Sequence, residues 1–401
     1  MTAELRLDFP ACLAADFPVE TPVAIRTVDR VLAAIHGATF EPLEERSPGL
    51  RGSDFVDYLR CSEARMVHAA NAARRHGASG GRVLDYGAYF GNFALMFADL
   101  GYGVDAVDAY DTYAPSLDTA LSLLRSKGVT IHDFGTVGRD LSELPEGAYD
   151  VVLCMGVVEH IPHTPRTLFE ALTRVLKQGG LLIMDTPNLA QLSNRQKLAK
   201  GQPVMTPLSI QYHASIPFEG HHREYTVGEM VWMTQEVGHQ VLSVELFNYS
   251  VYGHPTLSGR DVANHWRTVS NPDMRELVLV TSRKPRTGES RSVVEDWKSV
   301  FEETEQYWLE RRPSSAADGD TPIVDDELLL VSLQEGIALR DRMLADLDAD
   351  RVAAIELRDR ELSALRNRVD EWQQRFAATE SERLKRWLRR WRLLKSPKEG
   401  D

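Results

Sequence analysis

Thiols, long apolar runs and positive charge are all scarce in this chain. Its three cysteines, Cys12, Cys61 and Cys154, lie far apart with no paired spacing. That argues against a disulfide framework and a thiolate zinc site and favours a reducing compartment, so the chain is expected in the cytoplasm. No uninterrupted apolar run approaches the roughly 20 residues that a bilayer-crossing helix needs. Residues 1–12 carry Glu4, Asp8 and Pro10 where a secretory signal would have a basic start and an apolar stretch, so no signal peptide is expected. Lysine and arginine number 46 against 59 aspartates and glutamates, a formal net charge of −13. Phosphate binding needs a basic face, so no nucleic-acid partner is expected for the whole protein. What the chain does have is length and apolar content: 401 residues at 43% hydrophobic can build one sizeable core and leave a further segment over.

Residues 1–80 read as helical entry segments, with apolar positions at Val23, Val28, Val31, Leu32 and Ile35 and again at Phe55, Tyr58, Leu59, Met66 and Val67. They are expected to form a helical cap on residues 81–283. Over that span, short apolar runs alternate with helical patterns. Strands are expected at 82–84, 104–107, 129–132, 151–155, 181–184, 241–246 and 276–281, and helices at 92–100, 117–125, 167–176 and 227–237. This alternation predicts an α/β, doubly wound, Rossmann-like sheet of seven strands. Residues 284–324 read as a helix (293–311) followed by the linker "PSSAADGDTP".

The stretch "VLDYGAYFGNFAL" (83–95) carries the first chemical signal. A dinucleotide turn would read G-x-G-x-x-G and bring backbone to a pyrophosphate. Here Gly87 and Gly91 bracket a loop with Tyr89 between them, and Asp85 stands two residues before the first glycine. A carboxylate there repels a pyrophosphate and attracts an ammonium. Asp108 ends the next strand, where an acid accepts hydrogen bonds from both ribose hydroxyls. An adenosine joined to an amino acid satisfies both acids, and S-adenosylmethionine is such a molecule.

Residues 54–283 resemble the class I S-adenosylmethionine-dependent methyltransferases. "VLDYGAYFG" is similar to the family's first motif, D/E-x-G-x-G-x-G, with Tyr89 in place of the middle glycine. "VDAVDAYD" resembles the second motif. "YDVVLCMGVVEHIPHTPRTLFEALTRVLKQGGLLIMDTPN" (149–188) resembles the strand four to strand five block, and "GHHREYTVGEM" (220–230) a substrate-side insert before the last helix. The resemblance implies S-adenosylmethionine as cofactor, with Asp85, Gly87, Tyr89, Gly91, Asp108, Asp140 and Glu159 around it. Tyr89 either lies over the cleft as a lid or marks a lost site. If its φ stays negative, replacing glycine costs about 1 kcal/mol. Asp140 either meets the adenine amino group or forms a solvated turn, and Asp150 reads as a strand cap.

Methyl transfer from a sulfonium asks the enzyme for proximity and for a base to take the acceptor's proton. His160 is the first choice for that base, and His221 and His222 are further candidates. His163, Arg223 and Tyr225 are expected to bind substrate, with Arg223 able to grip a phosphate or carboxylate bidentately. Glu159 with His221 and His222 could hold magnesium or manganese, but no spacing requires it and no metal is assigned. Glu224 and Thr226 are otherwise read as caps of the following helix. Tyr58 and Arg65 either reach the cofactor carboxylate or pack one helix face.

In residues 325–382, Leu330, Ile337 and Leu344 recur every seven positions, as do Ile355, Leu362, Val369 and Phe376. This predicts a coiled coil, hence a homo-oligomer, or else a single amphipathic helix on the globular domain. Residues 383–401 open with "RLKRWLRRWRLLK", Arg383 to Lys395, with seven basic residues and no acid. Leu384, Trp387, Leu388, Trp391 and Leu394 at helical spacing suit an anionic membrane surface, making the protein peripheral on the inner face of the plasma membrane. The competing reading pairs this end with an acidic protein partner. The whole arrangement resembles surface-polysaccharide methyltransferases, implying O-methylation of a sugar hydroxyl on a glycan or lipid-linked glycan. The alternatives are a natural-product or other small-molecule acceptor, and an inactive methyltransferase-fold scaffold.

Overall fold

In this computed structural model, residues 4–6, 9–40, 49–214, 218, 220–250, 256–258, 264, 267–268, 271–289 and 293–302 are described. The linker, the heptad segment and the basic C-terminal segment lie outside the described residues. Eight strands form the central sheet: β1 (Arg82–Tyr86), β2 (Gly103–Asp108), β3 (Thr130–Asp133), β4 (Tyr149–Met155), β5 (Leu176–Pro187), β6 (Gln240–Phe247), β7 (Leu277–Arg283) and β8 (Phe301–Glu302). Their order is β8-β6-β7-β5-β4-β1-β2-β3. Val83, Leu84, Val151 to Cys154 and Leu182 to Met184 are buried. Strands covered on both faces are written as apolar runs, which is why these are visible in the sequence.

Neighbouring strands from β3 to β5 run parallel, with Val83 opposite both Val104 and Val151. β7 runs antiparallel between β5 and β6. The strand order reverses between β1 and β4, and in open α/β sheets the crevice beyond the carboxyl ends at such a point receives ligands.

The expected entry helices are α1 (Glu20–Ile35) and α2 (Val56–Arg75). Val28, Val31 and Ile35, three and four residues apart, face inward from α1, which packs on α2, α3 (Asn92–Asp99) and α4 (Asp118–Ser126). α5 (Arg166–Val175) packs on β5, and α7 (Val227–Glu236) packs on α5, β6 and β7. α6 (Leu192–Ala199) follows the end of β5. Among the described residues no helix is long and apolar enough to cross a membrane.

Two expectations are corrected. The sheet has eight strands rather than seven. Residues 293–302 do not open an α-helix: Trp297–Val300 form a single turn of 3-10 helix whose Lys298 amide donates to Asp296 Oδ1 at 3.0 Å, and β8 then pairs in parallel with β6. Trp297 and Phe301 meet edge to face at 5.6 Å and pack against the core. Their apolar spacing therefore serves a turn and an edge strand, which period-counting reads as a helical stripe. Residues 303–311 of that expected helix lie outside the described residues.

Candidate active site

The loop from β1 to α3 is shaped by its glycines and tied to the end of β2. The amides of Gly87 and Ala88 donate to the Val107 carbonyl at 2.9 and 3.2 Å. Gly87 has φ +76°, and a Cβ there would lie 2.4 Å from Val157 Cγ2. Gly91, at φ +73°, caps α3 against Leu124, whose Cδ1 a Cβ would meet at 2.3 Å. Tyr89 departs from expectation, since its φ is +44° rather than negative. A side chain in the left-handed region costs roughly 1–2 kcal/mol. Its amide donates to Asp108 Oδ2 at 2.7 Å, and its ring packs on Phe90 at 4.0 Å and Tyr113 at 5.2 Å, which holds the conformation.

Both cofactor acids lie at strand ends beside this loop. Asp85 is 1% exposed and accepts the Ala94 amide from the first turn of α3 at 2.9 Å. Burial pushes its carboxyl up to about 7, against the pull of the Ala94 hydrogen bond. Asp108 accepts from the amides of Tyr89 and Ala109, one on each oxygen, both at 2.7 Å. Burial raises it too, with those two amides opposing. Each oxygen keeps a second lone pair, enough for the two hydroxyls of a ribose. The buried Tyr110 hydroxyl has no hydrogen-bond partner among the described residues, a polar atom left over next to Asp108. These features fit S-adenosylmethionine. Asp140, by contrast, is exposed and accepts the Ser142 amide at 3.2 Å, closing a turn on itself.

The third group gathers beyond β4. Glu159 and His160 sit in a short turn, Val158–His160. The Glu159 carbonyl accepts the amides of His222 at 2.7 Å and Arg223 at 3.3 Å, which brings the 220–225 segment over the strand ends. His221 then meets His160 edge to face, with ring centroids 4.7 Å apart. Its Nδ1 bonds Glu224 Oε1 at 3.2 Å, and Glu224 Oε2 accepts from Asn194 Nδ2 at 3.0 Å. Burial lowers the His221 pKa, but the Glu224 hydrogen bond and the Glu159 charge outweigh it and the net shift is upward. Glu159, 2% exposed, accepts from Thr186 Oγ1 at 3.1 Å, and burial pushes its carboxyl up to about 7.

The other expected site residues are placed differently. His222 turns its Nε2 to the Phe218 carbonyl at 2.9 Å, which requires the proton on that nitrogen. His163 is exposed, its Nδ1 at 3.3 Å from the Thr164 carbonyl. Arg223 pairs with Glu229 and lies over the Tyr225 ring. Tyr225 is buried in the core at 3% exposure. Thr226 caps α7 with Glu229 in a reciprocal box, whereas Glu224 turns to His221. Arg65 is clamped by Asp185 through Nε and Nη2 at 2.8 and 2.7 Å, and Tyr58 is half-exposed. Sequence reasoning misses Asp185, Thr186 and Asn194. The one available signal is a carboxylate closing the apolar run "LLIMD", since a buried charge needs a partner.

Residues 58–244 match the family described as "Methyltransferase domain". The match takes in just under half of the chain, and this region is similar to that family's methyltransferase domains. The chain is similar to the ubiquinone biosynthesis O-methyltransferase of Xanthomonas oryzae pv. oryzae, 33% identical over 129 residues, 30% of this chain and 52% of that protein. The protein of the same name from Pseudomonas aeruginosa is 31% identical over 135 residues, 32% of this chain and 56% of that one. The chain thus spans about half the length of the curated relatives it matches. An S-adenosylmethionine-dependent methyltransferase from Mesorhizobium loti superposes with a TM-score of 0.38 at 19% identity, over 54% of this chain and 99% of that one.

Proposed function

We propose that this protein moves the methyl group of S-adenosylmethionine to a hydroxyl oxygen of a sugar in a glycan or lipid-linked glycan. The observation that carries the reading is the meeting of Glu159, His160 and His221 within 4.8 Å, at the same strand ends as Asp85 and Asp108. The cofactor supplies an electrophilic methyl group on a sulfonium centre, whose departure as a neutral thioether needs no acid. The remaining work falls to the chain. Asp108 holds the ribose hydroxyls and Asp85 draws the ammonium. His221, its Nδ1 held by Glu224, presents Nε2 to the acceptor, takes the hydroxyl proton and leaves the oxygen to attack in line.

Oxygen as the accepting atom is supported by the relatives, which are named O-methyltransferases. A sugar is supported by the polar 220–225 segment and by the heptad and basic segments on the C-terminal side of the domain, which a soluble metabolite would not call for. In this reading the heptad segment joins copies of the chain, and Arg383–Lys395 docks on anionic lipid at the inner face of the plasma membrane. A second reading, a phenolic small-molecule acceptor, is favoured by the word ubiquinone in the relatives' names.

Calorimetric titration of S-adenosylmethionine into the intact protein and Asp108→Ala tests the cofactor step. Micromolar binding lost in the variant is expected; no binding by the folded, ligand-free protein overturns the reading. Transfer of labelled methyl groups to glycan fractions or to simple phenols then separates the acceptors.

A further inference from the structure

We infer that the ring of Tyr58 stands against the sulfonium of the bound cofactor and makes the crevice prefer the charged methyl donor to the neutral thioether left after transfer. The inference rests on the S-adenosylmethionine reading and adds to it a residue that separates substrate from product.

Tyr58 and Arg65 lie seven positions apart on one face of α2, about 10 Å along its axis. Arg65 fixes where that face lies. Its guanidinium is clamped by Asp185 near the end of β5, and a Cβ on Gly156, just past β4, would stand 2.7 Å from its Nη2. Two turns nearer the start of the helix, Tyr58 meets the cofactor loop: its ring centroid is 6.1 Å from that of Phe90 and 6.4 Å from that of Phe55. Phe90 packs in turn on Tyr89, whose amide donates to Asp108. The ring is therefore held on one side by the loop, and α2 carries it over the strand ends.

Phe40 and Phe90 of the same aromatic cluster are buried, whereas Tyr58 is 52% exposed. Burial nevertheless leads the causes that push its phenol upward, and the charges acting on it are those of Arg65, Glu159, Asp185 and Asp108. A side chain open to solvent and still surrounded by protein lines a concavity. This one lies between Asp108, on the ribose side, and Glu159, on the acceptor side. The sulfonium of a bound cofactor falls between those points, because its methyl group must reach the acceptor while the ribose stays on Asp108.

A cation beside an aromatic face is attracted by the ring quadrupole, more strongly as water is excluded. The sulfur carries a full positive charge before transfer and none after it. Asp85 and Asp108 hold parts that S-adenosylmethionine and S-adenosylhomocysteine share, so the ring is the element that tells the two apart.

The test is calorimetry of both ligands with the full-length protein, Tyr58→Leu and Tyr58→Phe, with no acceptor present. Tyr58→Leu should weaken S-adenosylmethionine about three- to tenfold more than S-adenosylhomocysteine, and Tyr58→Phe should keep the parent's ratio. Equal losses for the two ligands in Tyr58→Leu, or no loss for either, overturn the proposal. A ratio shifted as far by Tyr58→Phe assigns the effect to the hydroxyl and overturns it too. Circular dichroism confirms folding, and Tyr58→Gln replaces the leucine variant if that one does not fold. A folded parent that binds neither ligand is a different result, which removes the cofactor reading itself and this inference with it.

Discussion

Asp85 carries its own pH signature. A carboxyl near 3.9 in the unfolded chain and about 7 in the folded one favours the folded state most when protonated. Its contribution is full below about pH 4 and falls as pH rises toward 7. Above that it leaves a fixed penalty of a few kcal/mol at most. Asp85→Asn keeps an oxygen for the Ala94 amide and removes the penalty. Urea unfolding should find the variant gaining roughly 1–3 kcal/mol on the parent between pH 5 and pH 8; a constant difference contradicts the assignment. If Asp85 draws the ammonium, S-adenosylmethionine should raise the parent's melting temperature more at pH 8 than at pH 6. Asp85→Asn should lose that difference. Tyr89→Gly should change stability by no more than about 1 kcal/mol, because the backbone relief offsets the lost ring contacts. A several-fold fall in cofactor affinity would give Tyr89 the lid role, and a rise would make it an obstruction. Glu224→Gln should cut turnover about 10- to 100-fold with little change in KM, since it acts through His221.

Among elements, α2 and β5 are joined by the Arg65–Asp185 pair, in which Asp185 is fully buried and Arg65 nearly so. Removing one partner leaves a buried charge alone. Asp185→Asn should therefore cost about 3–5 kcal/mol, and a further Arg65→Met should recover much of it. Denaturant midpoints of the single and double variants measure both. Thr226→Ala, which opens the reciprocal box with Glu229 at the start of α7, should cost only about 1 kcal/mol. These two elements also show what a sequence displays. The strands and α7 declare themselves because each contact they make repeats at a fixed local period. The partners of the site do not. Thr186 reaches Glu159 across 27 positions and Asn194 reaches Glu224 across 30, and no periodicity encodes such pairs. Glu224 reads as a cap in the sequence because Ser, Thr, Asp and Glu before a helix all look alike until one of them is seen to face elsewhere. Asp108 is legible because it ends a strand whose length fixes where the carboxylate falls.

For the whole molecule, the sequence divides its charge unevenly: a net −13 overall, with seven basic residues and no acid in Arg383–Lys395. Deleting residues 383–401 should abolish binding to anionic vesicles while leaving S-adenosylmethionine affinity unchanged; vesicle binding that survives removes the membrane role. A chain ending at residue 324 should sediment as a smaller species than the full protein if the heptad segment joins copies.

β8 is the last described strand before the long C-terminal part of the chain. It holds two residues against β6, with Phe301 opposite Val244 and Glu302 opposite Glu245, and Glu302 pairs with Arg75 at the end of α2. It lies on the sheet edge beyond β6, with β6, β7 and β5 between it and β4. Tension arriving from the C-terminal side would be taken up by this short strand first. It would peel away like a sacrificial seam, and load would have to cross three further strands before it disturbed Glu159 or the glycine loop.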